Sequence, residues 1–153
     1  MSDFFQKREI EGRNKFEKMF SGYEYTFTED PYERYDAFMK GKNQDYDYVV
    51  EIKNVHRDFK KYDDFTVDSS KIESLKSVAK DKNTHAILCG FFDDYIVIWD
   101  VTYLETEVTD MWCTSTTAEY DHGSRLKKMA HLTENNATYI KKNDTRRDCN
   151  GNR

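Results

Sequence analysis

The chain has 153 residues and a net charge of −5, with 37% hydrophobic, 35% charged and 15% aromatic residues. This length suits one domain with its own core and excludes two independent domains of ordinary size. The negative net charge argues against a general nucleic-acid coat protein.

The sequence indicates a cytoplasmic protein with no membrane segment. Its N-terminus lacks an apolar core of signal-peptide length, and no apolar run approaches 18 residues. Cys89, Cys113 and Cys149 are far apart and form no CxxC pair. This cysteine pattern is typical of a reduced protein without a zinc knuckle.

Charge is distributed unevenly along the chain. Residues 125–153 contain eight Lys or Arg and three acids, a local net charge of +5, so the remainder carries −10. This asymmetry indicates a basic binding edge beside an acidic, metal-attracting centre. A solvated, frayed tail is the alternative for the last dozen residues.

The first predicted element is an amphipathic helix over residues 3–20. At about 100° per residue, one helix face gathers Phe5, Phe16, Met19 and Phe20. Glu9 and Gly12 fall in the same stripe, whereas Glu11 points away from it. An acid in an apolar stripe is solvated at a cleft, paired, or bound to metal. Alternatively, Glu9 lies at the edge of the stripe and pairs with Arg13.

Three β-strands are predicted after this helix. "YEYTFTED" (23–30) alternates and is rich in Tyr, Thr and Phe, and Pro31 ends it. A second strand is predicted from Tyr32 to Met39, and "YDYVVEIKNV" (46–55) forms the third. Short connections join the three strands, which predicts a meander.

A second helix and further strands follow. After a polar connection, "DSSKIESLKSVAKDKN" (68–83) predicts a helix capped by Asp68, Ser69 or Ser70. "THAILCGFF" and "YIVIWDV" predict a hairpin. Farther on, "MWCTSTTAEY" and "RLKKMAHL" predict a strand pair, and "TENNATYIKK" predicts a capped short helix.

The element order predicts an α/β (α+β) domain with a mixed central sheet flanked by helices. Residues 1–153 are expected to form this single domain. Its core is expected over about 3–101, with a C-terminal elaboration over 102–142 and a flexible tail over 143–153.

Three side chains of the meander suggest a reaction centre. Glu51 and Lys53 lie two residues apart on the third strand, so they share one face. Asp36 belongs to the adjacent predicted strand, about 4.8 Å away. Two such carboxylates favour Mg²⁺, with Mn²⁺ as a substitute. Lys53 would orient or deprotonate a water, or stabilise developing charge. The alternative is a surface ion pair worth under about 1 kcal/mol.

"RYDAFM", "YVVEIKNV" and "DSSKIESLKSVA" together resemble the PD-(D/E)xK nuclease superfamily, whose restriction-endonuclease-like core runs αβββαβ. The resemblance covers roughly residues 3–101. It implies that Asp36 and Glu51 bind metal and that Lys53 takes part in activating water. Tyr35 stands where the family name has proline.

The resemblance also implies roles for three further groups. The backbone carbonyl of Ile52 is expected as another metal ligand. Glu9 corresponds to the glutamate that many members, including junction resolvases, place on their first helix. Lys71 is expected to contact the phosphate, or else to be an exposed lysine in the first turn of its helix.

The resulting expectation is a magnesium-dependent endo- or exonuclease that hydrolyses DNA phosphodiester bonds, with RNA as the alternative substrate. Its small size fits a structure-directed, junction-resolvase-like enzyme acting as a homodimer, encoded by a phage or mobile element. Two other classes stay open. One is a catalytically inactive nuclease fold that binds nucleic acid or serves assembly. The other is an acidic protein-interaction module that mimics DNA.

Overall fold

The computed structural model describes residues 3–30, 32–62, 64–114 and 124–143. The helices are α1 (Asp3–Met19), α2 (Phe59–Tyr62) and α3 (Ser69–Lys82). The strands are β1 (Tyr25–Phe27), β2 (Ala37–Met39), β3 (Tyr48–Asn54), β4 (Asp64–Asp68), β5 (His85–Phe91), β6 (Tyr95–Asp100), β7 (Val108–Thr114), β8 (Ser124–Thr133) and β9 (Tyr139–Lys142). Within these ranges, no helix is both long and apolar enough to cross a membrane.

A six-stranded mixed sheet forms the centre of the fold. Its strand order is β1-β2-β3-β5-β6-β9, and a second sheet has the order β4-β8-β7. β3 and β5 are parallel, because α3 lies in the connection between them, whereas the other paired neighbours are antiparallel. The predicted mixed sheet with flanking helices is confirmed.

The two faces of the central sheet are covered differently. Phe16 of α1 and Phe20, which follows the helix, pack in a cluster with Val50 of β3. On the other face, Leu75 of α3 packs in a cluster with Val49 of β3 and with residues of the second sheet. Side chains alternate along a strand. Glu51 and Lys53 therefore lie on the α3 face of β3, and Ile52 lies on the α1 face.

The second strand is shorter than predicted and begins after Asp36. A turn occupies the preceding residues: the Glu33 N–H donates to the Asp30 carbonyl at 3.0 Å. The Asp30 carboxylate also accepts from the Tyr32 N–H at 2.9 Å. Such a side-chain bond stabilises a turn in place of an extended strand. Asp36 therefore lies at the start of β2, between this turn and the strand.

The polar connection before α3 is more structured than the sequence predicted. It contains α2 and β4, and β4 pairs with β8 along its whole length. Phe59 of α2 and Val67 of β4 are buried in the core cluster on the α3 face. β4 has only five residues, and charged or polar residues separate its apolar ones. Such a short pattern does not predict a strand unless its partner β8 is known.

At the C-terminal side, the β5–β6 hairpin is confirmed. The predicted pair of "MWCTSTTAEY" with "RLKKMAHL" is confirmed as β7 and β8 as far as Thr114, and residues 115–120 lie outside the described residues. The predicted short helix in "TENNATYIKK" is wrong, because residues Tyr139–Lys142 form β9 and pair with β6. One turn of helix is not stable by itself. The backbone groups of this segment pair with the edge strand β6 instead.

The start of α3 is fixed by Asp68. Its carboxylate accepts a hydrogen bond from the Ser70 N–H at 3.0 Å, which makes Asp68 the N-cap among the three predicted alternatives. Asn83, in the left-handed conformation with φ 56°, ends the helix. The cap places Lys71 in the first turn, facing β3.

Candidate active site

Glu51 is a buried carboxylate between two lysines. Its side chain is 8% exposed, and its Oε2 lies 3.6 Å from the Lys53 Nζ. Its Oε1 lies 3.1 Å from the Nζ of Lys71, which reaches across from α3. The same Nζ donates to the carbonyl of Arg34 at 2.9 Å. The structure thus brings together three residues that the sequence identified as candidates.

Asp36 is anchored to β3 by two hydrogen bonds. Its backbone N–H donates to the Val50 carbonyl at 2.8 Å, and its Oδ2 accepts from the Ile52 N–H at 2.7 Å. The carboxylate therefore takes the place that a longer β2 would have occupied. In a ladder, the N–H and C=O of one residue point toward the same neighbouring strand. The Ile52 carbonyl accordingly points to the side on which Asp36 lies.

The two carboxylates influence each other electrostatically. Burial raises the pKa of Glu51, and the negative charge of Asp36 raises it further. The charges of Lys53 and Lys71 and a hydrogen bond from Lys71 oppose this rise without cancelling it. Ionised Glu51 is therefore unfavourable in the fold, and a cation shared with Asp36 would stabilise it.

The geometry is compatible with a hard divalent cation. Magnesium is bound in proteins through one or two carboxylates, and waters or substrate phosphates complete its coordination. Asp36, Glu51 and the Ile52 carbonyl offer oxygen ligands of this kind. Within the described part of the chain, however, no three His, Cys, Asp or Glu side chains are grouped so that they could hold a metal.

Glu9 does not complete such a group. Its side chain is exposed on α1, and α1 packs on the face of the sheet opposite to Glu51. Arg13, one turn later on the same side of the helix, donates to the Thr28 carbonyl at 3.1 Å. The Thr28 N–H in turn donates to the Asp36 carbonyl at 2.9 Å. These hydrogen bonds link Arg13, and not Glu9, to the segment that carries Asp36, and the role of Glu9 as a ligand stays a prediction.

Glu11, which the helical period places away from the apolar stripe, interacts with Asn54 at the end of β3 and with His56 beyond it. Its carboxylate lies 3.2 Å from the Lys15 Nζ and 3.5 Å from His56 Nε2. The helix crosses β3 at Gly12, where an added Cβ would lie 3.3 Å from Ile52 and Asn54. This close approach turns Glu11 toward β3, which the apolar pattern of the helix did not predict.

A cleft of about 630 Å³ opens beside Glu51. Its walls come from β3, β4, the first turns of α3, and β8. The residues that line it are Glu51, Lys53, Phe65, Thr66, Val67, Asp68, Ser70, Lys71, Ser74 and Met129. The sequence did not predict the wall formed by β4. The alternation of Phe65 and Val67 with polar neighbours is the local signal for this strand, but it is too short to predict β4 without its partner β8.

The fold is similar to that of a solved Holliday junction resolvase from the archaeal hyperthermophile Archaeoglobus fulgidus. The two chains are 14% identical, the match covers 80% of this chain and 88% of the resolvase, and the TM-score is 0.51. No protein-family model and no curated protein matches the sequence. At this level of identity the similarity shows the fold, which is of the restriction-endonuclease-like kind that the sequence predicted.

Proposed function

We propose that the protein is a metal-dependent nuclease that cleaves DNA, with Asp36, Glu51 and Lys53 as its catalytic residues. The observation that carries this proposal is the buried Glu51 carboxylate, which lies beside Lys53 and within electrostatic reach of Asp36. The fold similarity to a Holliday junction resolvase supports the nuclease class. Branched DNA is therefore the first substrate to test. We expect the protein to act on it as a homodimer.

A magnesium ion, held by Asp36, Glu51 and the Ile52 carbonyl, would polarise the scissile phosphate and lower the pKa of bound water. Lys53 has a 39% exposed side chain at the cleft. From this position its neutral amine would accept a proton from the attacking water, or its ammonium would stabilise the charge that develops on the phosphate. Lys71 is 29% exposed and contacts a phosphate oxygen of the substrate.

Cleavage assays test this function directly. Supercoiled, linear, branched and single-stranded DNA are incubated with magnesium, manganese or EDTA. We expect metal-dependent cleavage, and we expect Glu51→Gln and Lys53→Ala to lower its rate by about 100-fold or more. Lys80→Ala is the matched control, because Lys80 is an exposed lysine at the far end of α3. Failure to cleave any substrate, or equal rates in all variants, would contradict the proposal.

One observation favours a second candidate, an inactive nuclease fold that binds nucleic acid. Two lysines already neutralise Glu51, and the described residues include no three-residue metal group. Calorimetry with manganese separates the two candidates. The nuclease is expected to bind manganese with sub-millimolar affinity that Asp36→Asn weakens, whereas the inactive fold is expected to bind DNA without this metal site.

A further inference from the structure

β7 and β8 extend beyond β4 as a two-stranded ribbon. β4 ends at Asp68, opposite Met129, while the pairing of β7 with β8 continues to Thr114 and Ser124. We refer to residues 110–114 and 124–128 as the ribbon. Among the described residues, β7 is the one hydrogen-bonded neighbour of β8 along this length, so the ribbon extends beyond the three-stranded part of the sheet.

One face of the ribbon carries an exposed apolar pair. Trp112 and Leu126 are directly opposite each other in the register, and they are 70% and 53% exposed. Side chains opposite each other on neighbouring strands lie about 4.5–5.5 Å apart at Cβ. The pair therefore offers an adjoining aromatic and aliphatic surface to a partner, at a position where the protein's own core does not cover it.

The ribbon is positively charged in an otherwise acidic chain. It contains Arg125, Lys127 and Lys128 against one acid, Asp110, a net charge of +2, whereas the rest of the chain carries −7. Lys128 lies 3.3 Å from Asp110. Because the charge is opposite to that of the rest of the chain, the ribbon favours a polyanionic partner.

The ribbon begins at the wall of the cleft. Met129 and Asp68 both line the cleft beside Glu51, and Lys127 lies 3.9 Å from Asp68. Asp68 also caps α3, whose first turn carries Lys71 to Glu51. Along β8 the ribbon therefore continues into the wall of the cleft beside the candidate catalytic carboxylate.

From the apolar pair, the charge and the position, we propose that the ribbon binds DNA that contains unpaired bases. Trp112 stacks on one unpaired base, and Leu126 contacts the same base or its neighbour. Lys128, which alternation places on the same face of the ribbon, contacts a flanking phosphate, whereas Arg125 and Lys127 lie on the other face and add to the positive potential. An aromatic ring stacks on any base, so this contact selects unpaired structure and not sequence. The inference deepens the proposed function, on which it rests for the identity of the substrate.

The two tryptophans provide a direct readout. Trp99 is fully buried, whereas Trp112 is 70% exposed, so a stacking base quenches the fluorescence of Trp112 alone. Titration in EDTA, where no cleavage is expected, compares a single strand, its perfect duplex and a branched junction with unpaired bases. We expect quenching by the single strand and the junction, little quenching by the duplex, and none in Trp112→Phe.

Binding affinity, measured by the anisotropy of labelled DNA, tests the energetic role of the ring. We expect Trp112→Ala to weaken single-strand binding by about 5- to 100-fold and Trp112→Phe to retain most of the affinity. Tyr103→Ala is the matched control, because Tyr103 is an aromatic residue outside the ribbon that is 83% exposed. Lys128→Ala is expected to reduce the salt dependence of binding.

The outcomes separate this inference from the proposed function. Cleavage that depends on Glu51, combined with wild-type affinity in Trp112→Ala, overturns the role of the ribbon and leaves the nuclease intact. Quenching in the wild type together with weakened binding in Trp112→Ala supports DNA binding by the ribbon, even if no substrate is cleaved. A fluorescence change that depends on protein concentration and not on DNA assigns the surface to protein association and overturns the inference.

Discussion

Replacing Glu51 by glutamine is predicted to stabilise the metal-free protein at neutral pH. The Glu51 side chain is 8% exposed, and burial together with the charge of Asp36 raises its pKa. Glutamine preserves the shape of the side chain and removes the charge. The Lys53 and Lys71 side chains, 39% and 29% exposed, remain able to reach water when their partner is neutralised.

The magnitude follows from the burial of these groups. Removing one partner of a buried ion pair destabilises a fold when the remaining charge stays buried and unpaired. Lys53 and Lys71 are partly exposed, so we expect this penalty to be small. Because a raised pKa means that ionised Glu51 costs folding free energy at neutral pH, we expect Glu51→Gln to gain about 1–2 kcal/mol in the free energy of unfolding. For a chain of this length, that gain raises Tm by about 2–8 °C.

The pH dependence has a definite sign. Glu51 has an ordinary pKa of 4.5 when unfolded and a raised pKa in the fold. The folded state holds the Glu51 proton more tightly than the unfolded chain does. The resulting contribution to stability is therefore fully present below pH 4.5 and is lost as the pH rises through the raised pKa. The advantage of Glu51→Gln is therefore largest at pH 7 and disappears toward pH 4.5.

Manganese is expected to reverse the order of the two proteins. At a concentration about 100 times its Kd, a ligand that binds only the folded state stabilises it by about 2.7 kcal/mol, which raises Tm of the wild type by about 5–11 °C. Glu51→Gln is expected to show little of this gain.

Thermal melts monitored by circular dichroism, from pH 4.5 to 7 with EDTA or manganese, measure both effects. Glu73→Gln removes an exposed acid of α3 and is the control. The reasoning is refuted if Glu51→Gln melts below the wild type at pH 7 in EDTA, or if manganese stabilises both proteins equally.

Three further outcomes are expected. Gly90→Ala should destabilise the fold by about 1–3 kcal/mol, because the added Cβ would lie 2.6 Å from the Phe92 ring. Denaturant titrations measure this change, and an unchanged midpoint would contradict the close packing at Gly90. Asp68→Ala should cost about 1 kcal/mol through loss of the α3 cap, and Asp68→Asn should restore it in the same titration. Burial and a nearby acid raise the pKa of the Cys89 thiol. Alkylation of the native protein, followed by peptide mass spectrometry, should therefore modify half-buried Cys113 and spare Cys89; early labelling of Cys89 would count against its burial.

Several elements were predictable because local signals agreed with their tertiary partners. The β5–β6 hairpin joins two apolar segments across a short acidic turn, and α3 combines an N-cap with apolar residues spaced for one helix face. In both elements the defining hydrogen bonds join residues that are close together in the sequence. Such elements can be read from a short window of sequence.

Other elements depended on partners distant in the chain. β4 is a strand because β8, more than fifty residues later, pairs with it, and β9 is a strand because β6 has an open edge. The contact of Glu11 with β3, in place of Glu9, follows from the packing of α1 through Gly12. The sequence shows which residues share one side of the helix, but it does not show which side packs against the sheet.

The sequence by itself determined that Glu51 and Lys53 share one face of a strand, because alternation of side chains is a property of the extended backbone. Only the tertiary structure decided what surrounds that pair. α3 covers the face and brings Lys71 to Glu51, the short β2 lets the Asp36 carboxylate bond to the Ile52 N–H, and β4 closes the cleft. Burial and like charge raise the pKa of Glu51, and both arise from groups that are close in space and distant in sequence.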